Sequence, residues 1–133
     1  MDLNENVNQM LKIWGKEYKK GFSGYFILLL LKERSMYGLE INKRLLEISR
    51  SKIVFQESSI YQILKNLKKN GMVSIKWLKS NQGPPRKYYI LEEPGKIILN
   101  LFTVEYILPL INTSNKLIRD HFPDLIKKAG EKL

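Results

Sequence analysis

Residues Gln56–Tyr89, QESSIYQILKNLKKNGMVSIKWLKSNQGPPRKYY, decide the fold of this chain. The first half has a helical period, which places its apolar side chains on one face: Ile60, Ile63, Leu64 and Leu67. The opposite face is polar and basic and carries Ser58, Gln62, Lys65 and Lys69. Gly71 follows, and helices often end at a glycine because glycine adopts a positive φ without strain. The pattern predicts an amphipathic helix with a polar exposed face.

A β-hairpin is predicted directly after this glycine. Apolar side chains recur with a period of two, which indicates a strand with one buried face, at Val73, Ile75 and Trp77. Asn81–Pro85 is rich in turn-forming residues, and Arg86–Leu91 returns as the second strand. The stretch has one acidic residue and seven basic ones, which are Lys65, Lys68, Lys69, Lys76, Lys79, Arg86 and Lys87. A polar-faced helix beside a basic hairpin is typical of a winged helix-turn-helix, which is a DNA-reading fold.

The chain as a whole is strongly basic. It has 133 residues and a mass of 15.7 kDa, with a net charge of +10 and a pI near 9.7. Its residues are 44% hydrophobic and 27% charged, as in one globular domain with an additional helix or two. Such a charge favours a polyanionic partner, and double-stranded DNA fits the helix and hairpin pattern.

Motifs for catalysis, metal binding and cofactor binding are missing from the sequence. The absence of cysteine excludes disulfides and thiolate zinc sites and is compatible with a reducing cytoplasm, which is the expected location. His121 is the single histidine, whereas a metal site needs three or four converging ligands. No phosphate-binding loop or nucleophile elbow occurs, and the longest apolar run, Tyr25–Leu31, is far below the roughly 18 residues of a membrane span. We therefore expect neither an enzyme nor a membrane protein, and no cofactor.

Helices are predicted ahead of the central stretch. Leu3–Tyr18 has apolar residues three or four apart, which gives an amphipathic helix that must cover its stripe on its own domain or on a partner subunit. Gly21 is expected to break this helix, and Ser23 is expected to cap the next one. Tyr25–Leu31 is hydrophobic nearly all round, as in a central helix, and Leu39–Ser49 forms a further amphipathic helix.

A long apolar helical region follows the hairpin. Glu92 and Glu93 lie in its first turn, and Pro109 predicts a kink or a stop within it. So wide an apolar surface beyond a small domain indicates homodimerisation. The predicted fold class is mainly α (α+β), a winged helix-turn-helix domain with an N-terminal helix and a C-terminal dimerisation helix. Its regions are an N-terminal amphipathic helix at 1–20, a DNA-binding domain at 21–95 and a C-terminal helical dimerisation region at 96–133.

Four motifs together resemble the PadR family of transcriptional regulators. They are the apolar run at 25–31, Tyr-Gly-Leu-Glu-Ile at 37–41, Ser-Ile-Tyr-x-x-Leu-x-x-Leu-x-x-x-Gly-Met-Val at 59–73 and Arg-Lys-Tyr-Tyr-x-Leu at 86–91. The resemblance implies a homodimeric winged helix-turn-helix repressor that binds a pseudo-palindromic operator and dimerises through its C-terminal helix. Many members of the family respond to small aromatic or hydrophobic ligands. The chain departs from the family pattern at Glu92, where a threonine often caps the next helix, and in its longer N-terminal helix.

DNA contacts can be assigned on this basis. In such a domain the third helix enters the major groove with its first residues at the base edges, so Ser58, Ser59 and Gln62 are predicted to read bases. Tyr61 suits either the edge of the core or a phosphate contact, and the resemblance favours contact. Phosphate contacts are predicted for the nearby basic residues Lys65, Lys69, Lys79, Arg86 and Lys87.

Aromatic side chains outside the recognition helix are assigned to packing. Trp77 and Tyr89 are expected in the core at the base of the wing. Trp14, Phe102 and Tyr106 are candidates for a hydrophobic effector pocket or for the dimer core, and aromatic residues at helical spacing more often simply pack.

Two other functions are compatible with the same pattern. An architectural protein that coats DNA would also be rich in lysine, but the short polar residues at the start of the recognition helix favour base readout. A winged-helix module that binds another protein is the second alternative, and the basic, polar recognition face argues against it.

Overall fold

A computed structural model describes residues 2–132, with side chains through residue 129. The first helix, α1, runs without interruption over Leu3–Glu33, and the backbone N–H of Glu5 donates to Asp2 Oδ1 at 2.8 Å to cap its start. The predicted break at Gly21 is therefore wrong, as is the cap at Ser23. A glycine inside a helix costs about 1 kcal/mol, whereas a break would leave about four backbone groups without intrahelical partners on each side.

Two further helices and a short strand complete the helix-turn-helix. Strand β1 (Met36–Tyr37) precedes α2 (Gly38–Ile48), and α3 (Glu57–Lys69) is the predicted recognition helix. Asn42 on α2 fixes the connection between the two helices, because its Nδ2 donates to the carbonyl oxygen of Phe55 at 2.9 Å. The start of α3 is thus held at a set position relative to α2.

Strands β2 (Val73–Ser80) and β3 (Gly83–Leu91) form the wing. The sheet is antiparallel in the order β1-β3-β2, with Val73 opposite Leu91 in the hairpin. The hairpin turn is shorter than predicted, since only residues 81–82 lie between the strands. The prolines at 84–85 belong to β3, where the register shifts between Leu78 and Ser80. Proline has no N–H to donate, which is why it occurs at such irregularities.

One core joins these elements. The large side chains that are less than 2% exposed come from α1, β1, α2 and α3, and they are Ile27, Met36, Ile41, Ile60 and Leu64. Tyr89 lies in this core as predicted, with 4% of its surface exposed. Trp77 does not, because it is 64% exposed, and its assignment to the base of the wing is wrong. It shares the inward face of β2 with buried Val73 but lies farther along the strand, beyond the reach of the core.

The chain forms two compact units, one ending at Lys96 and one beginning at Ile97. Helix α4 (Glu93–Phe102) spans this boundary and continues through a π-helical turn (Thr103–Ile107) into α5 (Leu108–His121) and then α6 (Pro123–Lys132). Pro109 therefore does not stop the helical region, and it lies in the first turn of α5. Directly before Pro109 the helix widens into a π-helical turn, in which the N–H of Leu108 donates to the carbonyl oxygen of Thr103.

The helical stretch Glu93–His121 is apolar over a long distance. By length and composition alone it could cross a membrane, with a mean hydropathy of 1.4 in its 18-residue window, of which 6% is buried within the chain. The sequence analysis considered only uninterrupted apolar runs, and it did not detect this hydrophobic helix because single polar residues divide it. A long exposed apolar surface of this kind is typical of a contact with another protein chain or with a membrane.

Candidate nucleic-acid interface

Helix α3 separates its apolar and polar faces cleanly. Ile60 and Leu64 are 1% and 0% exposed, so they anchor the helix in the core. The polar stripe predicted from the sequence is exposed along its full length and comprises Ser58, Gln62, Lys65 and Lys69, with Ser59 exposed beside it. The structure therefore brings the predicted base-reading and phosphate-binding residues of α3 to one open surface.

The C-terminal end of α3 is held by backbone hydrogen bonds. At its C-terminus Gly71 has φ 75°, as predicted, and its N–H donates to the carbonyl oxygen of Lys68 at 3.0 Å. The N–H of Met72 donates to the carbonyl oxygen of Leu67 at 2.9 Å, which completes a Schellman motif. A helix anchored in this way presents its polar face in one orientation.

Tyr61 lies between the core and the surface, and its ring packs against the start of α2. A Cβ on Gly38 would lie 2.6 Å from the ring of Tyr61, so the two helices approach closely only because residue 38 is glycine. Burial raises the pKa of the Tyr61 hydroxyl, and the charge of Glu57 and the neighbouring Tyr89 raise this pKa further. The hydroxyl thus stays protonated at neutral pH and can donate a hydrogen bond to a phosphate.

Gly38→Ala tests the position of Tyr61. The added methyl group would displace the ring of Tyr61, and because Tyr61 is 43% exposed we expect the fold to persist. If the hydroxyl binds a phosphate, DNA affinity should fall about tenfold, since a hydrogen bond to a charged group contributes about 1.5 kcal/mol. Fluorescence anisotropy with Tyr61→Phe as the reference variant measures this loss. Unchanged affinity in both variants would remove Tyr61 from the interface.

The two basic residues of β3 lie on opposite faces of the wing, since consecutive strand residues alternate. Arg86 stacks its guanidinium on the ring of Tyr37, 4.5 Å from the centroid. The ammonium of Lys87 lies 6.0 Å from the ring centroid of Trp77 and 5.7 Å from that of Tyr89. Both cations are thus supported by aromatic rings while remaining exposed at the surface.

Lys79 is also exposed and lies where the hairpin register shifts. The wing therefore presents basic groups near its tip as well as on both faces. The position of Lys87 also explains the exposure of Trp77, whose ring lies beside this cation rather than in the core.

Lys87→Ala should weaken binding to all DNA sequences alike. A lysine that neutralises one phosphate contributes about 0.9 to the slope of log K against log salt, and the slope for the variant should be smaller by that amount. Titrations of one duplex at several salt concentrations measure the slope, with Lys128→Ala on α6 as a charge-matched control. An unaltered slope would remove Lys87 from the phosphate contacts.

Arg44 on α2 is occupied by acidic partners. Its Nε donates to Glu33 Oε2 at 3.1 Å, and its Nη1 lies 3.6 Å from Glu47 Oε2. The hydrogen bond and the charge of Glu33 raise the pKa of Arg44 above its ordinary value. This group joins the end of α1 to α2, and its charge is largely compensated within the protein.

Sequence reasoning missed one basic group that lies beside α3. Lys16, Lys19 and Lys20 of α1 line a cleft of about 660 Å³ together with Ser58 and Gln62. From the sequence these lysines mark the polar face and the C-terminal end of the first predicted helix, where cations suit the dipole. Their position beside α3 was not predicted, because it depends on how α1 and α3 pack.

The candidate effector residues lie in different units of the chain. Trp14 is on α1 and is 69% exposed, whereas Phe102 and Tyr106 belong to the C-terminal unit, where their ring centroids are 5.3 Å apart. Within each unit these rings lie at or near the surface. Among the described residues no group of three or more His, Cys, Asp or Glu side chains could hold a metal ion.

Comparison with known proteins agrees with this geometry. The model of the transcriptional regulator PadR-like family matches residues 27–100. No curated protein sequence matches the chain. A PadR-like transcription factor from Bacteroides fragilis is 32% identical, with a TM-score of 0.63 and coverage of 77% of this chain and 96% of that one.

Two further solved structures share the fold. A PadR-like transcriptional regulator from Bacillus cereus is 26% identical, with a TM-score of 0.64 and coverage of 76% of this chain and 96% of that one. Bacillus subtilis PadR in complex with operator DNA is 24% identical, with a TM-score of 0.56 and coverage of 82% and 69%. Since the family model spans more than half of the sequence, this chain belongs to the PadR-like family of transcriptional regulators, which are DNA-binding proteins and not enzymes.

Proposed function

We propose that the protein is a homodimeric repressor that binds a pseudo-palindromic operator, with α3 of each subunit in the major groove. The observation that carries this proposal is the division of α3 into a buried anchor, Ile60 and Leu64, and an exposed polar stripe. Short polar side chains at the start of a firmly held helix are suited to hydrogen bonds with base edges.

A second copy of the chain is the proposed cover for the apolar C-terminal helices. A stripe of apolar side chains recurs there three and four residues apart, each at least 46% exposed, at Ile97, Leu101, Val104, Leu108 and Ile111. Symmetric dimers are the commonest soluble oligomers, and a two-fold axis matches a pseudo-palindromic operator. The proposed site of action is the cytoplasm.

The aromatic rings of Trp14, Phe102 and Tyr106 are proposed to belong to the dimer core, where a small hydrophobic ligand would relieve repression. The chain has two tryptophans, so Trp77→Phe leaves Trp14 as the only tryptophan reporter. A screen of aromatic and hydrophobic compounds against this variant should reveal a ligand as a change in fluorescence that also lowers DNA affinity. A screen without any such compound would remove the effector from the proposal.

Selection of bound duplexes from a random DNA pool, at near-physiological salt, tests the proposed function. A dimeric repressor should enrich an inverted repeat whose half-sites are about 34 Å apart, one helical turn. Strong, salt-dependent binding without sequence preference would instead support an architectural protein. Absence of any DNA binding would overturn the proposal and favour a protein partner for the same surface.

Gln62→Ala should relax the base preference at one position of each half-site. A glutamine that pairs with adenine through two hydrogen bonds contributes about 1–3 kcal/mol of discrimination, which the alanine variant loses. When the selection is repeated with the variant, the base preference at that position should be lost, whereas the rest of the inverted repeat should still be enriched. An identical selected site would show that Gln62 does not read a base.

A further inference from the structure

The cleft between α1 and α3 combines a basic wall with the residues predicted to read bases. Lys16, Lys19 and Lys20 line one side, and Ser58 and Gln62 line the other. Gln56 also lines the cleft, and this residue precedes α3 without forming a side-chain capping hydrogen bond. No described residue that lines the cleft is acidic.

Among residues 2–129, whose side chains are described, the three lysines form no ion pair within the protein. Ion pairs are formed by other basic residues, among them Arg34, Arg44, Lys96 and Lys116. All three lysines are exposed, and α1 continues past them to Glu33, so they are too far from its end to favour the helix dipole. Like charges spaced by three or four residues destabilise a helix, which makes an external anion the favourable complement.

We propose that Lys16, Lys19 and Lys20 bind consecutive phosphates of the DNA strand that borders the groove occupied by α3. This inference rests on the proposed function, because it requires α3 to lie in the major groove. The two strands of B-DNA place phosphates along the two edges of that groove, and a phosphate beside the first turn of α3 would lie within the cleft. The contact extends the DNA surface beyond the family match, which begins at residue 27.

The proposed ligand of the cleft is DNA rather than a free anion, because the cleft is open and residues of α3 line one of its sides. A strand passing over Ser58 and Gln62 would place its phosphates over the opposite wall, where the three ammonium groups lie. Lysine acts there as a mobile point charge that positions the duplex without reading its sequence. The lysines should therefore add affinity to every duplex and leave base preference unchanged.

The test is the triple variant Lys16→Gln, Lys19→Gln and Lys20→Gln, in which glutamine preserves helix propensity and removes only charge. Binding to the selected operator and to an unrelated duplex is titrated over several salt concentrations. The slope of log K against log salt should fall by about 0.9 for each phosphate that is no longer neutralised, hence by about 2.7 for the triple variant. The corresponding triple Lys→Arg variant should restore the slope.

A charge-matched control removes three lysines from the C-terminal unit, through Lys116→Gln, Lys127→Gln and Lys128→Gln. Its slope should stay close to that of the unaltered protein, and circular dichroism should confirm that both variants are folded. Phosphate ethylation interference should show consecutive phosphates that matter for the unaltered protein and not for the cleft variant.

Four outcomes would overturn the inference. Equal slopes for the cleft variant and the control would show that only net charge matters. A changed base preference without a changed slope would assign the lysines to readout. If the unaltered protein bound no duplex at all, the proposed function would fail together with this contact, whereas a normal operator and an unchanged slope would overturn the contact alone.

Discussion

Gly95→Ala is expected to lower the free energy of unfolding by about 2 kcal/mol, although alanine is the better helix former. A Cβ at this buried position of α4 would lie 2.6 Å from Leu91 Cδ1 and still closer to the carbonyl oxygen of Met72. Overpacking costs about 1–3 kcal/mol, and more when the obstacle is backbone, whereas replacing a helical glycine gains at most about 1 kcal/mol. The clash therefore dominates.

The obstructing carbonyl cannot move aside. Met72 O accepts a hydrogen bond from the N–H of Glu92 at 3.0 Å, and the N–H of Met72 donates to the carbonyl oxygen of Leu67 at 2.9 Å. The next residue, Val73, begins β2 and is buried. A shift at residue 72 would thus disturb the end of α3, the wing and the start of α4 together.

Thermal unfolding at one fixed protein concentration measures this effect. Gly95→Ala should lower Tm by about 8 °C for a chain of this length. Gly15→Ala is the matched control, because it lies inside α1 and a Cβ there would have no neighbour within 4 Å. The control should be as stable as the unaltered protein or slightly more so, and equal Tm values for both variants would contradict the close approach at Gly95.

Leu101→Glu is expected to convert the proposed dimer into a monomer. Leu101 is 51% exposed in the single chain and belongs to the stripe that a second copy is proposed to cover. Burying an unpaired carboxylate costs several kcal/mol, and a two-fold interface contains the substituted residue twice. We expect at least a thousandfold loss in dimer affinity, which corresponds to about 4 kcal/mol.

Light scattering distinguishes the two states, since the dimer has twice the 15.7 kDa of the chain. Asn100→Glu is the control, because it introduces the same charge at the neighbouring position, which is already polar and exposed. The Leu101→Glu monomer should also lose most of its affinity for an inverted repeat while binding single half-sites weakly. A dimeric Leu101→Glu variant would place the subunit interface elsewhere.

Sequence periodicity predicted the elements that carry the interface. Residues 57–69 alternate apolar and polar faces with a helical period, and α3 occupies that range with Ile60 and Leu64 inward. Gly71 was identified as the end of this helix because few residues other than glycine tolerate φ 75°. These features depend on residues close together in the chain, so local chemistry is sufficient to predict them.

Elements that depend on distant residues were missed or misplaced. Strand β1 has two residues, too few for any period, and exists because Met36 pairs with Tyr89 far along the chain. Pro109 was expected to kink or stop the helix, and the helical region continues past it after a π-helical turn. Only the missed strand reflects pairing with a distant segment, because the change before Pro109 is local.

The winged helix-turn-helix and the polar stripe of α3 could be predicted from the sequence, because both follow from the spacing of apolar residues along a short segment. Three features are seen only in the folded protein: α1 continues through Gly21, Trp77 lies outside the core, and Lys16, Lys19 and Lys20 adjoin α3. Burial and charge proximity depend on which elements pack together. The free energy of packing comes from contacts across the whole fold, so it cannot be predicted from the residues of one short segment.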